Sequence, residues 1–275
     1  MLYFIGQVFP YIAIGVFVIG LAWRVLSWLK VPVPFQLTMF PAPDTAGGRA
    51  AAVGKQLLLF TSLYKSDRTL WFWAWIMHVS LAMVIGGHIV GIYFLTKQFT
   101  YIGMSPEAST LLSETLGTVA GIFLLLSLIV LFYRRTAIPE VKRLSDPADY
   151  FDLLLILSVV ITGMHMRLPT AHVDLPAIRT YLGGLLSFQP VPIPENFMFA
   201  AHFFLVNVLL MYFPFSKLVH LVGSVVNRAM LVEAPPVYPT PAGVKRQVNF
   251  FGKEEYAHET ATSRSQGTGS KSSGV

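Results

Sequence analysis

Cysteine is absent from the 275-residue sequence. Its absence excludes disulfides, Cys-ligated iron–sulfur clusters, Cys-type zinc sites and covalent attachment of c-type heme. Charge is scarce as well. Only 12% of residues are Asp, Glu, Lys or Arg, about half of the roughly 25% usual in soluble domains. That deficit excludes an ordinary soluble domain, and no nucleic-acid partner is expected. The N-terminus lacks a basic stretch before its first apolar run, and that run is too long for a signal-peptide core. No cleavable signal peptide is therefore expected.

Apolar sequence is abundant. Hydrophobic residues make up 54% of the chain, and the mean hydropathy is +0.61. Five runs approach or exceed the ~20 residues needed to cross a bilayer core. They are Tyr3–Leu29, Leu70–Leu95, Ser113–Tyr133, Tyr150–Leu168 and Phe197–Val222. Trp71, Trp73 and Trp75 open the second run, as interfacial aromatics do. The expected fold is an all-α integral membrane protein with five transmembrane helices. Residues 1–225 form the membrane domain, and residues 226–275 form a tail whose last fifteen or so residues are expected to be disordered.

Three of the 20 Lys/Arg residues, Lys97, Arg167 and Arg179, fall on one face of this topology, leaving the other 17 on the opposite face. The positive-inside rule then puts the N-terminus outside and the C-terminus in the cytoplasm. The inner connection, about residues 30–69, begins with Pro32 and Pro34 and continues through Pro41 and Pro43. Within it, Arg49–Tyr64 is expected to form a short amphipathic helix. The outer connection, Pro169–Glu195, is expected to hold another at Ala177–Phe188.

Seven histidines are present, and four fall in two of the spans. His78 and His88 lie in the second span, and His202 and His220 lie in the fifth. Ionisable residues in a bilayer are costly and mark function. A single intramembrane histidine could be a neutral imidazole bonded to a neighbouring helix. Two on each of two helices, at two depths, point instead to cofactor clamps with one neutral imidazole on each side of an iron. The topology pairs His88 with His202 on the outer side and His78 with His220 on the inner side. The spacings are unequal: ten residues make ~15 Å of helix and eighteen make ~27 Å. A bend at Pro214 would absorb the difference. Gly86, Gly87 and Gly91 flank His88, and Gly87 is taken as part of the cofactor site because glycine admits close approach to the backbone.

The second span, WIMHVSLAMVIGGHIVGIY (Trp75–Tyr93), resembles the corresponding span of the respiratory nitrate reductase gamma-subunit family. So does FAAHFFLVNVLLMYFPFSKLVHLVG (Phe199–Gly223), which ends in a PFSKLVH signature. The resemblance implies two heme b groups with His78, His88, His202 and His220 as axial ligands. Within that superfamily the chain is most similar to the cytochrome b subunit of the membrane complex associated with dissimilatory sulfite reductase. The segments that carry this are DYFDLLLILSVVITGMHMR (Asp149–Arg167) and Val173–Val206. This branch implies menaquinol or menaquinone as substrate in the cell membrane. It also implies a cytoplasmic Fe–S subunit resembling heterodisulfide reductase, with further membrane and periplasmic subunits.

For the quinone, the residues available near the outer face are His165, Arg167, His172, Arg179 and Glu114. His165 and Arg167 are the candidates for acting on it: a histidine near its ordinary pKa accepts the quinol proton. Arg167 could alternatively hold an outer heme propionate. His172 and Arg179 read as solvated loop residues, Asn207 as a helix-to-helix bond and His258 as a solvated tail residue. Rival readings are a nitrate reductase gamma-type or other heterodisulfide reductase-type cytochrome b, a heme-free quinone anchor, and a histidine-lined transporter.

Overall fold

In the computed structural model, five helices are long and apolar enough to cross a membrane: Phe4–Lys30, Arg68–Gly91, Pro106–Ala137, Pro147–His165 and Phe197–Phe215. The structure describes residues 1–30, 45–94, 98–171, 173–233, 244–247 and 255–258. Within each spanning window only 11–28% of residues are buried inside the protein. An apolar surface that open suits a lipid solvent.

The second, third and fourth spanning helices begin earlier than their apolar runs because polar caps and prolines sit just outside those runs. A π-helical turn, Phe4–Val8, leads into α1 (Phe9–Lys30). Short helices α2 (Ala46–Leu59) and α3 (Thr61–Ser66) replace the single helix expected at Arg49–Tyr64. They break at Phe60, whose φ of 48° is left-handed, a conformation that is strained for a bulky residue. The Asp67 carboxylate accepts from Leu70 N at 2.8 Å to cap α4 (Arg68–His88). A π-helical segment, Ile89–Phe94, extends α4 directly. Ser105 caps α5 (Pro106–Ala137), with Pro106 in its first turn. The short α6 (Pro139–Arg143) follows. Asp146 and Asp149 form a reciprocal capping box at α7 (Pro147–His165). Asp174 caps α8 (Leu175–Leu186), and Asn196 caps α9 (Phe197–Tyr212). Each such cap satisfies a backbone N–H that the helix itself cannot.

The fifth span departs from a continuous helix through Val222. α9 stops at Tyr212. Two 3-10 turns, Phe213–Phe215 and Lys217–Val219, flank an extended Ser216, and α10 (His220–Glu233) starts anew. Pro214, with no N–H to donate, lies at this break. The eighteen residues from His202 to His220 are therefore not one straight rod, which removes the mismatch between the two spacings.

The chain divides into two compact units: Met1–Leu21 with Leu59–His220, and Ala22–Leu58 with Leu221–Val275. In the first unit α4 runs beside α5, α5 beside α7, and α7 beside α9. Leu124, Leu128, Ile156 and Val160 form the buried contact, with Met77, Leu81 and Leu209 against it. A second cluster joins α8 to α9 through Ile178, Tyr181, Leu182, Leu185 and Phe199. Tyr181 OH donates to Gly6 O at 2.5 Å. A Cβ on Gly6 would come within 2.8 Å of Ile193 Cβ, so this approach requires glycine. In the second unit, strands β1 (Val244–Gln247) and β2 (Glu255–His258) pair antiparallel, so the tail carries a short ribbon, and His258 is in it. The prolines expected to shape the inner connection, Pro32 to Pro43, lie outside the described residues. So do residues 259–275, which include the last fifteen or so expected to be disordered.

Candidate functional site

His78, His88, His202 and His220 meet as two pairs. His78, midway along α4, faces His220, the first residue of α10, with ring centroids 5.9 Å apart and planes at 80°. His88, the last residue of α4, faces His202 of α9 at 6.4 Å and 23°. Two imidazole nitrogens each about 2 Å from a shared metal place their ring centres about 6 Å apart.

Each ring is held by its Nδ1. His78 Nδ1 lies 2.7 Å from Ala74 O, and His88 Nδ1 lies 2.6 Å from Val84 O. His202 Nδ1 is 3.0 Å from Val159 O, and His220 Nδ1 is 2.9 Å from Lys217 O. A carbonyl can only accept, so each Nδ1 carries a proton, and a neutral imidazole held this way turns the lone pair of its Nε2 toward a ligand. Proteins orient metal-binding histidines in this way. Among the described residues, no three His, Cys, Asp or Glu side chains gather to hold a metal ion. The histidines therefore offer two nitrogens per site, not a protein-only metal cage.

The surroundings of the two pairs differ. His202 sits against α7: Thr162 Oγ1 is 3.1 Å from its Nδ1, and a Cβ on Gly163 would lie 3.1 Å from its Cε1. Gly163 was not singled out from the sequence, because nothing there shows that α7 supplies the wall behind His202. On the His88 side, a Cβ on Gly86 or Gly87 would meet nothing within 4 Å. The strip of α4 beside His88 thus has room for a flat ligand. At the other pair, Phe60 sets its ring edge-on to His78 at 5.0 Å. Lys217, whose carbonyl holds His220, donates from Nζ to Asp146 at 2.5 Å and to Asp149 at 2.8 Å. Arg135 pairs with the other Asp149 oxygen at 3.1 Å. Lys217 is thus part of a clasp that joins the turn before His220 to α7.

His165 is exposed in the last turn of α7, three residues after Thr162. Arg167 reaches back to α5, where Nη1 is 3.3 Å from Glu114 O and 3.4 Å from Thr118 Oγ1. Its guanidinium covers Gly117, where any side chain would collide with it. Arg167 is therefore engaged in strapping α7 to α5. Arg179 is not a loop residue: it lies on α8, and its Nη2 donates to Gly91 O at 3.2 Å. Asn207 is buried and bonds within its own helix, from Nδ2 to Phe203 O at 2.7 Å. His172 lies outside the described residues.

Residues 60–237 match the family model described as nitrate reductase gamma subunit. The chain belongs to this family. The matched region contains all four paired histidines. A protein of Archaeoglobus fulgidus named "Hdr-like menaquinol oxidoreductase cytochrome b-like subunit" is 28% identical over 255 residues, covering 79% of this chain and 76% of its own length. A protein of the same name from Archaeoglobus profundus is 26% identical, covering 80% and 76%. The nitrate reductase gamma chain of Bacillus subtilis is 27% identical over 157 residues, covering 53% and 68%. Five spanning helices and membership of the nitrate reductase gamma family make the chain a multi-pass membrane protein.

Proposed function

We propose that this chain is the di-heme cytochrome b subunit of a membrane oxidoreductase complex, passing electrons between menaquinol and an Fe–S partner. The observation that carries the reading is the pairing of imidazoles whose Nδ1 atoms are all held by carbonyls. In this reading His88 and His202 hold the outer heme, and His78 and His220 hold the inner one. Gly87 forms part of the open strip along the outer macrocycle. Bound there, two hemes supply one-electron couples near opposite faces of the bilayer, and so a way across it.

Quinol oxidation yields quinone, two electrons and two protons. In this reading His165 accepts a proton at the outer face, and Arg167, which reaches back to α5, steadies the end of α7 beside it. The names of the Archaeoglobus relatives support menaquinol as the substrate. Those names also imply a complex with other subunits; on the present reading these are a heterodisulfide reductase-like Fe–S subunit on the cytoplasmic side, working in dissimilatory sulfur metabolism, and further membrane and periplasmic subunits. The basic connections between spans would dock that partner on the inner face of the cell membrane. The proline-rich inner connection and the long tail favour it over the partner used by nitrate reductases.

The test is a dithionite-reduced-minus-oxidised spectrum of the purified chain with pyridine hemochrome quantitation. Two b-type hemes per chain are expected, falling to one in His88→Ala or His202→Ala. A heme-free protein would instead favour a quinone anchor or a transporter.

A further inference from the structure

Arg179 presents an unmet cation beside the outer histidine pair. Its Nη2 donates to Gly91 O, and Gly91 is one turn past His88 in the π-helical segment. Its Nε is buried and has no hydrogen-bond partner. Among the described residues, the ion pairs join Arg134 to Asp67, Arg135 to Asp149, and Lys217 to Asp146 and Asp149, so no carboxylate answers Arg179. Asp174, which opens the same helix, spends its carboxylate on capping Ala177 N. A buried guanidinium N–H without an acceptor is costly. The planar fork of donors is shaped for an oxyanion, a carboxylate above all.

We propose that Arg179 is an anchor for a propionate carboxylate of the macrocycle held by His88 and His202. This rests on the heme reading above. The anchor is distinct from the axial ligands and from Arg167, whose donors already reach Glu114 O and Thr118. Arg179 approaches from α8, on the side where the chain has just left His88. Its contact with the Gly91 carbonyl fixes the guanidinium at the π-helical segment. A fixed positive charge there stabilises the iron after it gains an electron, so Arg179 raises the potential of the outer heme. The same oxyanion chemistry could come from the phosphate of an anionic lipid, and the experiment separates the two.

The full-length protein, its Arg179→Gln variant and its Arg179→Lys variant are reconstituted in phosphatidylcholine vesicles with and without phosphatidylglycerol. Redox titration and resonance Raman spectra are recorded on each. The outer heme is assigned as the component lost in His88→Ala. In R179Q the outer midpoint potential is expected to fall and its propionate-bending band to shift in both vesicle types, with two hemes per chain and the inner potential unchanged. R179K is expected to lie between R179Q and wild type. An unchanged potential and band with two hemes retained would overturn the anchor, as would an effect seen only with phosphatidylglycerol. Should R179Q shed the outer heme, R179K carries the test: heme kept with a shifted band supports the anchor, and heme kept with an unshifted band overturns it. Wild-type protein without heme would overturn the proposed function itself, and this site with it.

Discussion

The rings of His78 and His220 stand at 80° to one another, whereas those of His88 and His202 lie 23° from parallel. The angle has an electronic consequence for a ferric iron between them. Crossed imidazole planes act on the two iron π-orbitals alike and leave them nearly degenerate, so orbital angular momentum survives. Near-parallel planes split the two orbitals. Two low-spin ferric EPR signals are therefore expected: one strongly anisotropic with a large leading g value, and one ordinary rhombic. The first should vanish in His78→Ala and the second in His88→Ala. Two hemes with one indistinguishable signal would contradict the geometry.

Gly163 gives His202 its seat on α7, and a Cβ there would stand 3.1 Å from the imidazole, which must then give way. Gly163→Val is expected to cut heme content from two to about one per chain, leaving the strongly anisotropic signal intact. Hemochrome quantitation with EPR checks this. Full occupancy would show that the ring can shift without losing iron.

Lys217 joins the α7 carboxylates to the turn that presents His220. Replacing it by Met should loosen the inner site, giving heme content between one and two and a broadened large-g signal, with the outer signal unchanged. Lys217→Arg should restore it. Loss of the outer signal instead would mean that the clasp serves the bundle as a whole.

Asp67 caps α4 and pairs with Arg134 at 2.5 Å. The backbone N–H of Leu70, helped by the Arg134 guanidinium, holds its carboxyl below the usual carboxylate range. A depressed folded pKa stabilises above the unfolded value and is lost as pH falls through the folded one. Asp67→Ala should therefore cost about 1 kcal/mol at neutral pH. That difference should shrink as pH drops below about 4. Thermal melts in detergent across that range test it; a pH-independent difference would remove the carboxylate charge from the account.

The five spans and the four histidines were legible because they depend on features read locally: apolar length, and ionisable residues where lipid should be. Helix starts at Pro106 and Pro147 were missed by several residues, since Ser105 and Asp146 are caps that an apolar window discards. The break after Tyr212 was half legible: Pro214 announced a bend, but not two 3-10 turns and a fresh helix at His220. What α7 does for His202, through Val159, Thr162 and Gly163, was not legible. Those residues look like any apolar helix until the partner helix is known. Arg179 was misjudged for the same reason, because its position on α8 gains meaning only from the carbonyl of Gly91.

The break at 213–219 also separates two kinds of freedom along the chain. His78 and His88 sit on one uninterrupted helix, so inserting or deleting a residue between them would rotate one imidazole about 100° away from its partner. Between His202 and His220 the irregular stretch can take up such a change. Length variation among descendants of this gene should gather in that stretch and stay out of the ten residues of α4.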